Sequence, residues 1–163
     1  MNKLRIYLET SAVSNLHQPN SPDAQADMLD LWEMIKSGKF EVFLSSVLFD
    51  ELDEMKDLNK REILRKFIDQ IDYEFIRFEN SMVPIVDLIT KNSILTENHI
   101  KDCKHIACAV AKKCDCIVTY NLKHMLKIST LRGVRSIAIL FNGTLIDIVK
   151  AHQLLVKRGR DES

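Results

Sequence analysis

Three carboxylates and one amide stand where this chain passes from one element to the next. Leu4, Ile6 and Leu8, with Tyr7 between them, read as a short buried strand, and Glu9-Thr10-Ser11 follows it at once. Glu51 falls inside the apolar stripe Val47, Leu48, Leu52 and Met55 of a helix that Ser45 or Ser46 caps. Asp102 lies in the first turn of a later helix, beside its buried stripe, and Asn121 ends the apolar run Cys116–Tyr120. In a right-handed parallel α/β sheet, strand carboxyl ends and helix amino ends share one edge, so these positions converge on one crevice. Clustered carboxylates are costly unless a cation neutralises them. Hard oxygen ligands suit Mg²⁺ or Mn²⁺, and the chemistry such a site serves best is phosphodiester hydrolysis: one ion acidifies the attacking water and another steadies the leaving oxygen.

Each residue also has an ordinary explanation. Glu51 can be a solvated helix acid, Asp102 a complement to the helix dipole and Asn121 a plain N-cap. Thr10 and Ser11 can be loop hydroxyls making local turns. Spacing alone leaves both readings open.

The elements that must position these groups alternate. Ser21-Pro22-Asp23 opens a helix carrying Ala24, Met28, Leu31, Trp32 and Ile35, closed by Ser37-Gly38. Phe40–Ser45 is a second strand. Asn59 is expected to cap an amphipathic helix with Ile63, Leu64, Phe67, Ile68 and Ile71, and Tyr73–Phe78 to be a short strand. Helices are expected from Ser81 and from Asn98, the latter carrying Cys103, Ile106, Ala107 and Val110. After the Cys116–Tyr120 strand we expect a short helix at Leu122–Lys127, a strand at Arg135–Phe141 and a final helix at Thr144–Val156. The alternation implies an α/β fold, a central mostly parallel sheet flanked by helices in three layers. The expected organisation is one domain over residues 1–156 and a charged tail at 157–163.

Composition narrows the function. The 163 residues suffice for one domain with a real core. Lys+Arg and Asp+Glu are both 23, so a nucleic acid must be held by a local patch and not by overall charge. No apolar run approaches the roughly 20 residues that span a membrane. Met1-Asn2-Lys3 runs straight into the first strand and leaves no room for a signal peptide, which makes the cytoplasm the expected compartment. Cys103, Cys108, Cys114 and Cys116 lack the paired spacing of a zinc knuckle and read as buried small side chains, the first three on a helix. No glycine-rich phosphate loop is present. A signalling receiver domain would need two adjacent acids after the first strand, and Glu9-Thr10 does not supply them.

Four segments, in order, resemble the signature segments of PIN domains: Tyr7–Ser11, Leu44–Glu51, Asp102–Ala109 and Cys116–His124. Asp-x-x-His-Ile-Ala-x-Ala and Ile-Val-Thr-x-Asn-x-x-His are the most specific of them. The resemblance spans about residues 4–141 and implies a PIN-like fold with a Mg²⁺- or Mn²⁺-dependent ribonuclease site; many bacterial members are the toxin half of VapC-like toxin–antitoxin pairs. It places the family's four acidic positions on Glu9, Glu51, Asp102 and Asn121 as catalytic residues, with Glu9, Glu51 and Asp102 as metal ligands. Two positions depart from the usual pattern, Glu9 standing for Asp and Asn121 for a common Asp. Thr10, Ser11 and Thr119 are expected to orient ligands or substrate, and His124 to contact a phosphate. His105 is expected to be a surface or packing residue. Lys123 and Lys127 belong to a basic group downstream of Asp102 that would attract RNA phosphates. The partners implied are single-stranded RNA and a small antitoxin, with a second copy of the chain as an open alternative. The competing reading is a catalytically weak PIN-like module that binds RNA or a protein without cutting.

Overall fold

The computed structural model describes residues 2–155, in which five strands form one all-parallel sheet of order β3-β2-β1-β4-β5. The strands are β1 (Leu4–Leu8), β2 (Phe40–Ser45), β3 (Glu74–Ile76), β4 (Cys116–Val118) and β5 (Asp147–Val149). The helices are α1 (Thr10–Ser14), α2 (Pro22–Lys36), α3 (Ser46–Asp53), α4 (Leu58–Ile68), α5 (Val83–Lys91), α6 (Ile100–Ala111) and α7 (Ile128–Asn142). Strand order reverses between β1 and β4, and a crevice opens at the carboxyl ends of the strands flanking such a reversal.

Strand alternation divides the core into two layers. Tyr7, Phe43, Ile117 and Ile148 face α5, α6 and α7, where Ile85, Ile89, Ile106, Val110, Val134 and Ala138 are buried. Ile6, Leu8, Val42, Leu44 and Val118 face the other way, onto Met28, Leu31 and Trp32 of α2, Leu48 and Leu52 of α3 and Leu64 of α4. Register locks the layers: Ile6 pairs with Val42 and Cys116, and Tyr7 with Phe43 and Ile117. A slip of one residue would turn every apolar side chain to the wrong layer. No helix among the described residues is long and apolar enough to cross a membrane.

The C-terminal third departs from expectation. Residues 135–141 are not a strand; they complete α7, whose buried residues Thr130, Val134, Ile137 and Ala138 recur at helical spacing. A short apolar run fits either period, and here the flanking residues decide. The segment expected as a final helix instead contains β5 and a single 3₁₀ turn at Ala151–Leu154, and Val156 with the tail at 157–163 lies outside the described residues. Leu122–Lys127 is a turn: the Met125 and Leu126 amides both donate to the Asn121 carbonyl, and Met125 is buried beneath it. Two caps also move. Asp57, not Asn59, accepts the Lys60 amide at 3.0 Å and starts α4, and α6 is preceded by a 3₁₀ turn at Glu97–His99. Cys114 lies beyond α6, but all four cysteines are free and buried, as expected of small apolar groups; burial pushes the Cys103 thiol up to about 11.

Gly133 shows how closely α7 seats. A Cβ there would come within 2.5 Å of Ile94 Cγ1. Alanine raises helix propensity by about 1 kcal/mol over glycine, whereas overpacking costs about 1–3 kcal/mol. Gly133→Ala is therefore expected to lower stability in urea unfolding, and adding Ile94→Ala should recover part of that loss. A Gly133→Ala variant more stable than the parent would show that α7 does not pack against Ile94 this closely.

Candidate active site at the carboxyl edge of the sheet

Glu9 extends the sheet before it turns into α1. Its amide donates to the Val118 carbonyl at 3.0 Å, and its side chain caps α1 by accepting the Ser11 amide at 3.0 Å. The same Oε2 accepts the Thr119 hydroxyl at 2.8 Å and the Ser11 hydroxyl. With Glu9 only 4% exposed, these donors replace lost water. Ser11 Oγ in turn accepts the Tyr120 amide at 2.8 Å, which ties the β1 turn to the β4 turn.

A string of hydrogen bonds runs from Glu9 to Asp102. Thr119 Oγ1 accepts the Asn121 amide at 3.1 Å, and Asn121 Nδ2 donates to Asp102 Oδ2 at 3.2 Å. Asn121 Oδ1 is occupied by the His124 amide at 3.1 Å, so this residue caps the following turn and offers Asp102 a donor, not an oxygen. The helix and strand reading and the site reading of Asn121 thus coexist in one side chain.

Glu51 enters from α3 and joins the other side of the edge. Its Oε1 accepts the Thr10 hydroxyl at 2.9 Å and lies 2.6 Å from His105 Nε2. Burial raises the Glu51 carboxyl pKa, but the hydrogen bond and charge of His105 and the Thr10 hydroxyl outweigh it, and the net direction is down. His105 is not at the surface: it is fully buried, with Nδ1 hydrogen-bonded to the Tyr7 hydroxyl, which also lies 2.6 Å from Ser45 Oγ. Burial pushes the Tyr7 phenol well above its ordinary value. His105, Tyr7 and Ser45 were not among the expected site residues. Their signal is a helix position three residues after Asp102 and a tyrosine at an inward-facing strand position.

The remaining expected residues lie in the segment between β4 and α7. His124 stacks on His99 with ring centroids 3.8 Å apart, and Lys123 and Lys127 are exposed with no ion pair among the described residues. A cavity of about 280 Å³ reaches Glu51 and is bordered by Asp50, Glu54, Lys101, Lys104 and Phe78. A larger one, about 740 Å³, lies at the amino ends of the strands around Arg5, Glu41 and Tyr73, far from these acids in the fold.

Among the described residues, no three His, Cys, Asp or Glu side chains form a ready-made metal group. The donor set nonetheless suits a hard cation. Glu9, Glu51 and Asp102 each use one oxygen in the bonds above, and their other oxygens make no hydrogen bond among the described residues. The arrangement also has a pH consequence. A carboxyl whose folded pKa is lowered contributes stability that is present above its unfolded pKa and lost as pH falls through the folded one. Urea midpoints followed from neutral pH downward should therefore drop less steeply for Glu51→Gln than for the parent. Parallel curves would mean that Glu51 is not held as an ionised carboxylate.

The chain shares its fold with structures of known proteins. A chain of the crystal structure of VapBC2 from Rickettsia felis, bound to a DNA fragment from their promoter, superposes with a TM-score of 0.55 at 15% identity, covering 89% of this chain and 98% of that one. No curated protein matches. The family model described as PIN domain matches residues 5–123, from β1 through Lys123 in the turn after β4, and takes in Glu9, Glu51, Asp102 and Asn121 together. Most of the sequence, including every acid at the sheet edge, therefore falls within that match, and the chain belongs to the PIN domain family.

Proposed function

We propose that the acidic edge is the site of a divalent-metal-dependent endoribonuclease that cleaves single-stranded RNA, and that the chain is a VapC-like toxin of a toxin–antitoxin pair. The observation that carries this reading is the hydrogen-bond linkage of Glu9 to Asp102 through Thr119 and Asn121, with Glu51 tied to Thr10 beside Glu9, in a family whose members are generally nucleases. Glu9, Glu51 and Asp102 would hold Mg²⁺ or Mn²⁺. When bound, the cation supplies acidification of the attacking water and stabilisation of the charge that develops on phosphate.

The chain's own groups do the positioning. Ser11 and Thr119 hold Glu9, Thr10 holds Glu51, and Asn121 holds Asp102. Lys123 and Lys127 border the turn after β4, where exposed ammonium groups attract the RNA backbone, and His124 sits within reach of the same strand. The fold shared with a chain of VapBC2 supports a small antitoxin as the natural partner, one whose segment would cover the acidic edge.

One observation favours the weaker reading, a module that binds without cutting. Asn121 brings no negative charge to the edge, and its carbonyl oxygen already accepts the His124 amide. Cleavage of a fluorogenic single-stranded RNA in Mn²⁺ separates the two. The nuclease reading expects Asp102→Asn to lose roughly two orders of magnitude in rate, as when a few kcal/mol of charge stabilisation is removed. It expects Asn121→Asp to gain activity at limiting Mn²⁺. A parent no faster than Asp102→Asn, with no gain from Asn121→Asp, would favour the binding module.

Salt dependence tests this basic pair. Reversing Lys123 and Lys127 to Glu should weaken RNA binding and flatten its salt dependence by roughly 0.7 per lost phosphate contact. Reversing the exposed Lys56 and Lys66 should leave both unchanged. Equal effects from the two pairs would remove the proposed patch.

A further inference from the structure

Behind Glu51 lies a buried chain of polar groups whose direction is set by its ends. Ser45 Oγ and Tyr7 Oη are 2.6 Å apart, Tyr7 Oη reaches His105 Nδ1, and His105 Nε2 lies 2.6 Å from Glu51 Oε1. Tyr7, Ser45 and His105 are each wholly buried. An ionised carboxylate only accepts hydrogen bonds, so the proton between His105 and Glu51 belongs to Nε2. Nδ1 of a neutral imidazole is then an acceptor, and the group facing it is a phenol with one proton to donate. The Ser45 hydroxyl in turn donates to the phenol oxygen, while Ser45 Oγ accepts the Leu48 amide at 3.4 Å. Ser45 and Tyr7 each donate once along this chain, and His105 Nε2 also lies 3.1 Å from Thr10 Oγ1, whose own proton goes to Glu51 Oε1.

We propose that His105 is a positioning residue for the nuclease site: Tyr7, backed by Ser45, fixes it as the Nε2–H tautomer, and its N–H pins Glu51 Oε1 so that Oε2 faces the cation. The inference rests on the metal-dependent reading of the site, since pinning one oxygen matters for function only if the other is a ligand. Without the relay, the Glu51 side chain, 25% exposed, keeps only the Thr10 hydroxyl at 2.9 Å. The edge-on packing of Tyr7 against His105, with centroids 5.6 Å apart, also fixes the plane of the imidazole. Groups that hold a metal ligand from behind are worth roughly 10–100-fold in metal affinity.

Two measurements on the full chain test this. Nitrogen-15 NMR of the histidine side chains, without added metal, reads the tautomer directly: the parent should show His105 protonated at Nε2 alone, and Tyr7→Phe should lose that preference. The midpoint of stabilisation by Mn²⁺ should shift roughly 10-fold or more upward in His105→Leu and Tyr7→Phe, and His105→Gln, which retains an amide donor toward Glu51, should recover most of the loss. Thermal unfolding without metal shows whether each variant folds, and the Gln–Leu contrast separates donor loss from packing loss. A parent with His105 protonated at Nδ1 alone or at both nitrogens would overturn the proposal, as would Leu and Gln variants with the parent's Mn²⁺ midpoint. A parent that binds no Mn²⁺ while keeping the Nε2–H tautomer would sink the metal reading and leave the Tyr7–His105–Glu51 hydrogen-bond relay supported.

Discussion

Crowding of negative charge at one edge of a parallel sheet is the constraint on which the rest of this structure depends. Glu9, Glu51 and Asp102 arrive from β1, α3 and α6, and each is held there by donors from elsewhere in the chain. Hydroxyls share this work with nitrogen donors: Ser11 and Thr119 hold Glu9, Thr10 and His105 hold Glu51, and the Asn121 amide holds Asp102. A hydroxyl stabilises a carboxylate by hydrogen bonding without neutralising its charge.

The fold accounts for why these acids meet. Reversal of strand order between β1 and β4 puts the turn after one strand beside the turn after the other, and Thr119 and Ser11 bridge them. The layer formed by α5, α6 and α7 then carries Asp102 and His105 on successive turns' edges of the same helix, so α6 serves both sides of the site. Its burial is dense around those positions: Cys103, Ile106, Ala107 and Val110 are all in the core. The helix cannot rotate to relieve charge at Asp102 without exposing that face.

Most of this was legible in residue order. The short apolar runs before Glu9 and Asn121 mark strands by their length and polar bounds, the stripe around Glu51 marks a helix by its period, and the parallel α/β arrangement follows from their alternation. What escaped was the C-terminal third, where a turn replaces the helix expected at Leu122–Lys127 and β5 lies in the segment expected as a final helix, and the polar pairs of the site. Residues 137–141 form an apolar run short enough to suit a strand, and only the buried spacing of Thr130, Val134, Ile137 and Ala138 across the longer segment reveals a helix. His105 escaped because a histidine on an apolar helix face is ordinary; its meaning comes from Tyr7, 98 residues away in sequence, and from Glu51. Long-range pairs of this kind leave no periodic trace. The two roles of Asn121, capping a turn and donating to Asp102, are likewise separable only when its two polar atoms are placed.

Diffraction from crystals soaked in Mn²⁺, with anomalous scattering to locate the ion, shows whether these three carboxylates hold a cation. A peak between the free oxygens of Glu9, Glu51 and Asp102, absent in Asp102→Asn crystals, is the predicted result. No peak at this edge, or one only in the cavity around Arg5 and Glu41 at the opposite edge, would contradict it.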